Sequence, residues 1–139
     1  MAQSIREIMT ADPRTVSSMA TVADAAREMR DGDVGSVVVV DNGGVAGIIT
    51  DRDIAVRVVA QGLDPDATRV SEAATTDPVT LTVDQTVEDA IRLVRERDVR
   101  RIVVVQDGRP AGVVSLGDLA IERDTDSALA DIASEPPNN

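Results

Sequence analysis

The sequence predicts an α/β (α+β) protein in which two tandem β-α-β-β-α repeats pack sheet to sheet with pseudo-twofold symmetry. Three observations predict this fold: an internal repeat, the same order of apolar periodicities in each copy, and a turn sequence between two strands of each copy. One such unit leaves a face of its sheet uncovered, and two copies can bury those faces against each other. We therefore expect a single domain made of two similar halves.

The internal repeat has an offset of 65 residues. Residues 5–55 align with residues 70–120 without a gap, and 21 of the 51 aligned positions are identical. Such self-similarity predicts one structural unit that occurs twice. The identical pairs include Asp12-Pro13 with Asp77-Pro78, Thr21-Val22 with Thr86-Val87, and Val38–Val40 with Val103–Val105.

Within each repeat the periodicity changes in the same order. A short strand after a proline is followed by a capped amphipathic helix, by two strands joined through a turn, and by a last helix. In the first repeat these elements are expected at Thr15-Val16, from Thr21, at Val37–Val40 and Ala46–Thr50, and from Asp51 to Gly62. In the second they are expected at Thr80–Val83, from Thr86, at Ile102–Val105 and Ala111–Ser115, and from Leu116 to Glu122.

The repeat divides the chain into four parts. The first repeat is expected at 4–62, a linker at 63–69, the second repeat at 70–123, and an acidic C-terminal tail at 124–139. Within the tail, Ser127–Ala133 is a candidate short helix.

The composition excludes most catalytic chemistry. The chain contains no Cys and no His, which removes thiolate nucleophiles, the commonest general base and the commonest zinc ligand. We therefore predict no catalytic residue, no metal site and no enzymatic activity. The net charge of −11 disfavours nucleic acid as a partner, because binding its phosphates relies on clustered cations.

No segment predicts an association with a membrane. The first residues are polar and lack the apolar stretch of a signal peptide, and the apolar run Val34–Val40 is too short to span a bilayer. We expect a cytoplasmic protein.

Two short motifs identify a family. Each repeat ends its hairpin in a Gly-x-x-Thr/Ser-x-x-Asp sequence, at Gly47–Asp53 and again at Gly112–Asp118. A β-α-β-β-α unit with this signature resembles the CBS domain, named after cystathionine β-synthase. Over residues 4–122 the chain is similar to small bacterial proteins that consist only of a CBS pair, also called a Bateman module.

The resemblance implies a regulatory, ligand-sensing module rather than an enzyme. Such modules commonly bind an adenosine-containing small molecule, such as AMP, ADP or ATP, in clefts between the repeats; the nucleotide is a possible regulatory ligand, and no cofactor is required. The family's Asp typically holds the ribose hydroxyls, and its Thr or Ser contacts ribose or phosphate. These roles carry over to Thr50 and Asp53, and to Ser115 and Asp118. The same spacing also predicts a plain helix-capping box, and that alternative stays open.

Further residues are expected near the clefts. Arg52, Arg100 and Arg101 are candidates for phosphate binding, although a solvated or ion-paired turn beside Glu96 and Asp98 would explain the last two equally well. Because the first repeat has Gly35-Ser36 where the second has Arg100-Arg101, we expect the cleft beside Asp118 to be the better nucleotide site. The candidates for lining the clefts are Ser36, Val37, Ile48, Ile102 and Val113.

The resemblance also implies that two modules pair through their helices, so we expect a homodimer. Val58 and Val59, with Met29 or Val94, are the candidate exposed apolar positions. The regulated protein is unknown from the sequence. The alternative function is a ligand-free dimerisation or protein-interaction module.

Overall fold

The structure, a computed structural model, describes residues 3–125, with side chains as far as residue 120. Most of the expected acidic tail, including the candidate helix at Ser127–Ala133, therefore lies outside the described residues. Within them the structure confirms a mixed α/β fold with two sheets and two repeated units.

The elements follow the predicted order in both repeats. The first repeat contains α1 (Ile5–Ile8), β1 (Thr10–Ala11), β2 (Thr15–Ser17), α2 (Val22–Gly32), β3 (Ser36–Asp41), β4 (Gly44–Thr50) and α3 (Asp51–Ile54), which continues as a π-helical segment at Ala55–Val59. The second repeat contains α4 (Val70–Ala73), β5 (Thr75–Thr76), β6 (Thr80–Thr82), α5 (Val87–Arg97), β7 (Arg101–Gln106), β8 (Arg109–Ser115) and α6 (Leu116–Thr125).

Each repeat contributes one strand to the sheet of the other. The strand order is β2-β3-β4-β5 in one sheet and β1-β8-β7-β6 in the other. Strand β1 pairs antiparallel with β8, and β5 pairs antiparallel with β4. The two sheets are therefore interlocked, and neither repeat forms its complete sheet alone. The sequence did not predict β1, β5, α1 or α4, because strands of two residues and helices of four show no measurable periodicity.

Side chains alternate along the strands between two environments. Val37, Val39 and Ile49 face a core that they share with α2 of their own repeat and α4 of the other. Val38 and Ile48 face the opposite direction, where they contact Val103 of the other sheet. This alternation is the strand period of two. It produces one core under the helices of each repeat and a third core between the sheets, as expected for sheet-to-sheet packing.

Asp residues occupy most of the sharp turns. Among residues 3–125, six non-glycine residues have a left-handed backbone, and they form three pairs that are each 65 residues apart: Asp12 and Asp77, Asp33 and Asp98, Asn42 and Asp107. Asn and Asp tolerate this conformation better than other side chains do. The turns that end α2 and α5 and close both hairpins therefore have the same chemistry in the two repeats.

Helices α2 and α5 each begin with the predicted capping box. The Asp24 N–H donates to Thr21 Oγ1 at 3.1 Å, and the Thr21 N–H donates back to Asp24 Oδ2 at 3.2 Å. Thr86 and Asp89 form the same pair of bonds at 3.2 and 3.0 Å. The backbone hydrogen bonds from Thr21 and Thr86 are the main cause that lowers the pKa of Asp24 and of Asp89.

The lowered pKa values of Asp24 and Asp89 predict that the stability of the fold depends on pH. Because their pKa values are lower in the folded than in the unfolded chain, their stabilisation is fully present above the unfolded value of 3.8. It is lost as the pH falls through the lower, folded pKa values. We expect Asp89→Asn to flatten the fall in the free energy of unfolding below pH 5, measured by urea denaturation. An unchanged slope would contradict the prediction, and Asp84→Asn, at a site without a capping box, is the control.

The apolar positions expected at the surface are only partly exposed. Val58 and Met29 are buried, with 0% and 8% of their surface exposed, because both pack into the core under the helices of the first repeat. Val59 is 68% exposed, as predicted, and Val94 is half-buried. Val56, Leu63 and Leu116 are further exposed apolar side chains, on or beside the last helix of each repeat. No helix among residues 3–125 is long and apolar enough to cross a membrane.

Candidate functional site

A cavity of about 350 Å³ lies between the two repeats, and Asp118 is one of its lining residues. We call it the Asp118 cavity. The first repeat contributes the segment around β1 and the connection between α2 and β3, and the second contributes β7, β8 and the start of α6. Its lining residues include Asp12, Arg14, Gly32, Val34, Gly35, Ser36, Arg101, Val113, Ser115 and Asp118.

Ser115 and Asp118 are positioned by the junction of β8 and α6. The Ser115 N–H donates to Asp118 Oδ2 at 3.0 Å, and the Asp118 N–H donates to Ser115 Oγ at 3.1 Å. This is the capping box that the spacing allowed. It occupies one carboxylate oxygen, and Oδ1 has no hydrogen-bond partner among the described residues. A carboxylate oxygen has two lone pairs, so Asp118 can accept bonds from ligand hydroxyls while it caps the helix.

Thr50 and Asp53 form the corresponding pair in the first repeat. The Thr50 N–H donates to Asp53 Oδ2 at 2.9 Å, and the Asp53 N–H donates to Thr50 Oγ1 at 3.0 Å. The two pairs therefore have the same geometry. Thr50 and Asp53 do not line the Asp118 cavity, so the structure separates the four predicted ribose-binding residues into two places, one in each repeat.

Only one of the three candidate phosphate ligands lines the Asp118 cavity. Arg101 is half-buried and lies opposite Ser115 in the antiparallel register of β7 and β8. Its Nη2 would lie 3.1 Å from a Cβ built on Gly35, so its guanidinium crosses to the first repeat. Arg100 and Arg52 are exposed and do not line the cavity.

The five candidate lining residues fall on two faces of the sheets. Ser36 and Val113 line the Asp118 cavity, and Ile48 belongs to the core between the sheets. Val37 and Ile102 do not line it, since they are buried under the helices with 1% and 0% exposure. Successive side chains of a strand point to opposite faces of the sheet. Val37 follows Ser36 and Ile102 follows Arg101, so both point away from the cavity.

Gly35 and Ser36 were expected in the other cleft, but they line the same cavity as Asp118. Sequence reasoning also missed Asp12, Arg14 and Gly32 as lining residues. The exchange of β1 into the second sheet carries the segment from Thr10 to Arg14 across to the Asp118 side. One signal was available in the sequence: the first repeat has Arg14 at the position where the second repeat has Val79.

A second, larger depression of about 710 Å³ lies between α1 and the turn that joins β7 and β8. Its lining includes Arg6, Gln106 and Arg109 and none of the predicted site residues. Size alone therefore does not mark the site. The Asp118 cavity is the better candidate because it combines a carboxylate oxygen available to hydroxyls, two arginines and apolar side chains between the repeats.

Among the side chains that the structure describes, no group of three or more acidic residues is placed to hold a metal ion. The sequence provides neither His nor Cys as an alternative ligand.

The comparisons with known proteins agree with this architecture. The family model of the CBS domain matches residues 5–60 and 70–123. The CBS domain-containing protein YhcV of Bacillus subtilis is 38% identical over 136 residues, which span 95% of this chain and 96% of that protein. The chain therefore belongs to the CBS domain family, and it consists largely of one CBS pair.

Two further relatives show the range of the family. Hypoxic response protein 1 of Mycobacterium tuberculosis is 31% identical over 116 residues, which span 83% of this chain and 81% of that protein. The solved structure of a hexameric CBS-CP12 protein from bloom-forming cyanobacteria is 31% identical and has a TM-score of 0.80. The match covers 90% of this chain and 74% of that one. CBS pairs are regulatory modules, and proteins of this kind are generally not enzymes.

Proposed function

We propose that this CBS pair is a regulatory module that binds an adenosine-containing small molecule, such as AMP, ADP or ATP, in the Asp118 cavity. The observation that supports it best is the position of Asp118, which lines the cavity and caps α6 with one carboxylate oxygen, while the other oxygen has no hydrogen-bond partner among the described residues. Two ribose hydroxyls match that acceptor, because a carboxylate accepts without donating. An acidic residue holds the ribose of dinucleotides in the same way.

The rest of the cavity matches the other parts of such a ligand. Arg101 has a planar guanidinium that can donate two bonds to one phosphate. The chain has no aromatic residue, so the base has to lie against aliphatic walls, for which Val34 and Val113 are available. Binding at a cavity lined by both repeats would bias the angle between them, which is how a ligand could alter a protein contact.

Equilibrium dialysis tests this function, because bound nucleotide can be measured by its absorbance. The absence of Trp, Tyr and Phe leaves the protein almost without absorbance between 260 and 280 nm. Any excess absorbance at 260 nm on the protein side of the membrane is therefore bound nucleotide. We expect such an excess with AMP, ADP or ATP after nuclease treatment has removed nucleic acid. Equal absorbance on both sides for all three would favour the ligand-free interaction module, whose capping boxes are already complete without a ligand.

Replacing Arg101 separates phosphate binding from nucleoside binding. We expect Arg101→Ala to weaken ADP binding by about tenfold or more, because it removes a charge-assisted hydrogen bond, and to affect adenosine much less. Wild-type affinity for ADP should fall as salt is added. Arg100→Ala is the matched control, since Arg100 is exposed and outside the cavity. Calorimetry that shows Arg101→Ala binding ADP like the wild type would contradict this role.

We further propose that the module forms a homodimer through the last helix of each repeat. The candidate apolar contacts are the exposed side chains of Val56 and Val59, with Leu63 beyond the same helix and Leu116 at the start of α6. Exposed apolar surface commonly marks an interaction site when it is contiguous.

Val59→Glu is expected to convert the dimer to a monomer, because it places a charge where apolar contacts are proposed. Sedimentation velocity measures the change directly. Met19→Glu is the control, since Met19 is 60% exposed but lies in the turn between β2 and α2. A wild-type monomer, with and without nucleotide, would contradict the proposal.

A further inference from the structure

Arg14 lines the Asp118 cavity, and its backbone and side chain both contact the first repeat. Its backbone carbonyl accepts a hydrogen bond from the Val38 N–H at 3.0 Å, which fixes the start of β2. Its side chain lies directly over Gly32, where a Cβ would overlap its Nε and Cδ atoms. Gly32 therefore leaves the space that the Arg14 side chain occupies, and both residues line the cavity.

Arg101 enters the same cavity over a second glycine. Its guanidinium lies against Gly35, three residues after Gly32, and it comes from the opposite repeat. At the positions equivalent to Gly32 and Gly35, the second repeat has Arg97 and Arg100. Each arginine therefore passes over a glycine, at a position where the second repeat has an arginine side chain.

The second repeat does not reproduce the Arg14 arrangement. Arg14 is ion-paired with Glu28 on α2 at 2.9 Å, and the equivalent residues of the second repeat are Val79 and Leu93. The first repeat therefore has an ion pair where the second repeat has two apolar side chains. Both side chains of the pair are exposed to about the same degree, 40% and 37%, and exposed ion pairs contribute little to stability. The ion pair is therefore weak enough for an anion in the cavity to compete with Glu28 for Arg14.

We infer that Arg14 is a specificity-determining residue of the Asp118 cavity, where it forms with Arg101 a binding site for a chain of two or more phosphates. Arg101 lies beside Ser115 and so close to the proposed ribose position. Arg14 reaches the cavity from the other repeat, and it is placed to bind a phosphate further from the ribose. The inference rests on the proposed function in that it assumes the ligand's sugar to lie at Asp118.

Calorimetric titrations of adenosine, AMP, ADP and inorganic pyrophosphate test the inference on the full chain. We expect Arg14→Ala to weaken ADP and pyrophosphate binding by about tenfold, AMP binding less, and adenosine binding not at all. Glu28→Gln should preserve or increase ADP affinity, because it removes the negative charge that competes with a phosphate for Arg14. Arg27→Ala is the control for the loss of one positive charge, since Arg27 pairs with Asp24 outside the cavity.

The outcomes distinguish the inference from the proposed function. If wild-type protein binds ADP and Arg14→Ala binds it equally well, the inference is overturned and the proposed function stands. If no adenosine compound binds but pyrophosphate binds in an Arg14-dependent way, the phosphate site stands and the proposed function fails. If none of the four ligands binds, both fail. A purely structural Arg14–Glu28 pair would make Arg14→Ala and Glu28→Gln change affinity in the same direction, which also overturns the inference. Arg14→Gln repeats the test if the alanine variant does not fold.

Discussion

Replacing Asp118 with alanine is expected to lower the affinity for ADP by roughly tenfold to several hundredfold. The change removes the carboxylate that would accept the ribose hydroxyls, and each hydrogen bond to a charged group contributes about 1.5–3 kcal/mol. It also removes the helix cap, so the free energy of unfolding should fall by about 1 kcal/mol. Calorimetry gives the affinity, and a thermal melt of the same sample gives the loss of stability.

Asp89→Ala provides the matched control for this measurement. Thr86 and Asp89 form the same reciprocal capping bonds as Ser115 and Asp118, but they do not line the cavity. We expect Asp89→Ala to lose a similar amount of stability and no affinity. If Asp118→Ala behaves in the same way, Asp118 is only a helix cap and has no role in binding.

Gly47→Val is expected to destabilise the protein by about 1–3 kcal/mol or more, because it separates an exchanged strand from its partner. A Cβ at Gly47 would lie 2.5 Å from the Thr75 carbonyl oxygen, which belongs to β5 of the other repeat. Backbone cannot move aside as a flexible side chain does, so β5 has to shift away from β4. Urea denaturation of the variant measures the loss.

Gly44→Val is the control for this effect. Gly44 begins the same strand, and its nearest neighbours would lie 3.6 and 3.7 Å from an added Cβ, which is ordinary contact. A loss of stability in Gly44→Val equal to that in Gly47→Val would mean that strand propensity, and not the close approach of β5, explains the result. That outcome would remove the energetic argument for interlocked sheets.

The repeated fold could be predicted from the sequence because its main signals are local. The capping boxes at Thr21 and Thr86 and the β-branched runs at Val38–Val40 and Val103–Val105 each specify an element without information from elsewhere in the chain. The exchange of β1 and β5 could not be predicted in this way. A two-residue strand carries no periodicity, and its partner is chosen by packing between residues about 100 positions apart for β1, such as Thr10 and Val113.

The part of the candidate site that lies within one repeat could be predicted from the sequence. Ser115, Asp118 and Arg101 come together because β7 and β8 pair within one repeat. Gly35 and Arg14 join them only through the contact between repeats, which the sequence of one repeat does not reveal, so Gly35 was expected in the other cleft and Arg14 was not a candidate. The error in Val37 and Ile102 has a different cause, since a run buried on both faces does not reveal which residues face the cleft.

The most direct test of nucleotide binding between the repeats is a map of backbone amide chemical shifts, recorded by nuclear magnetic resonance while ADP is added. We expect the largest changes at Gly35, Arg101, Ser115 and Asp118, which come from both repeats and meet at one cavity. Asp24 and Asp89, which cap helices outside the cavity, should remain unchanged. Changes confined to the depression lined by Arg6 and Arg109, or no changes at saturating ADP, would contradict nucleotide binding between the repeats.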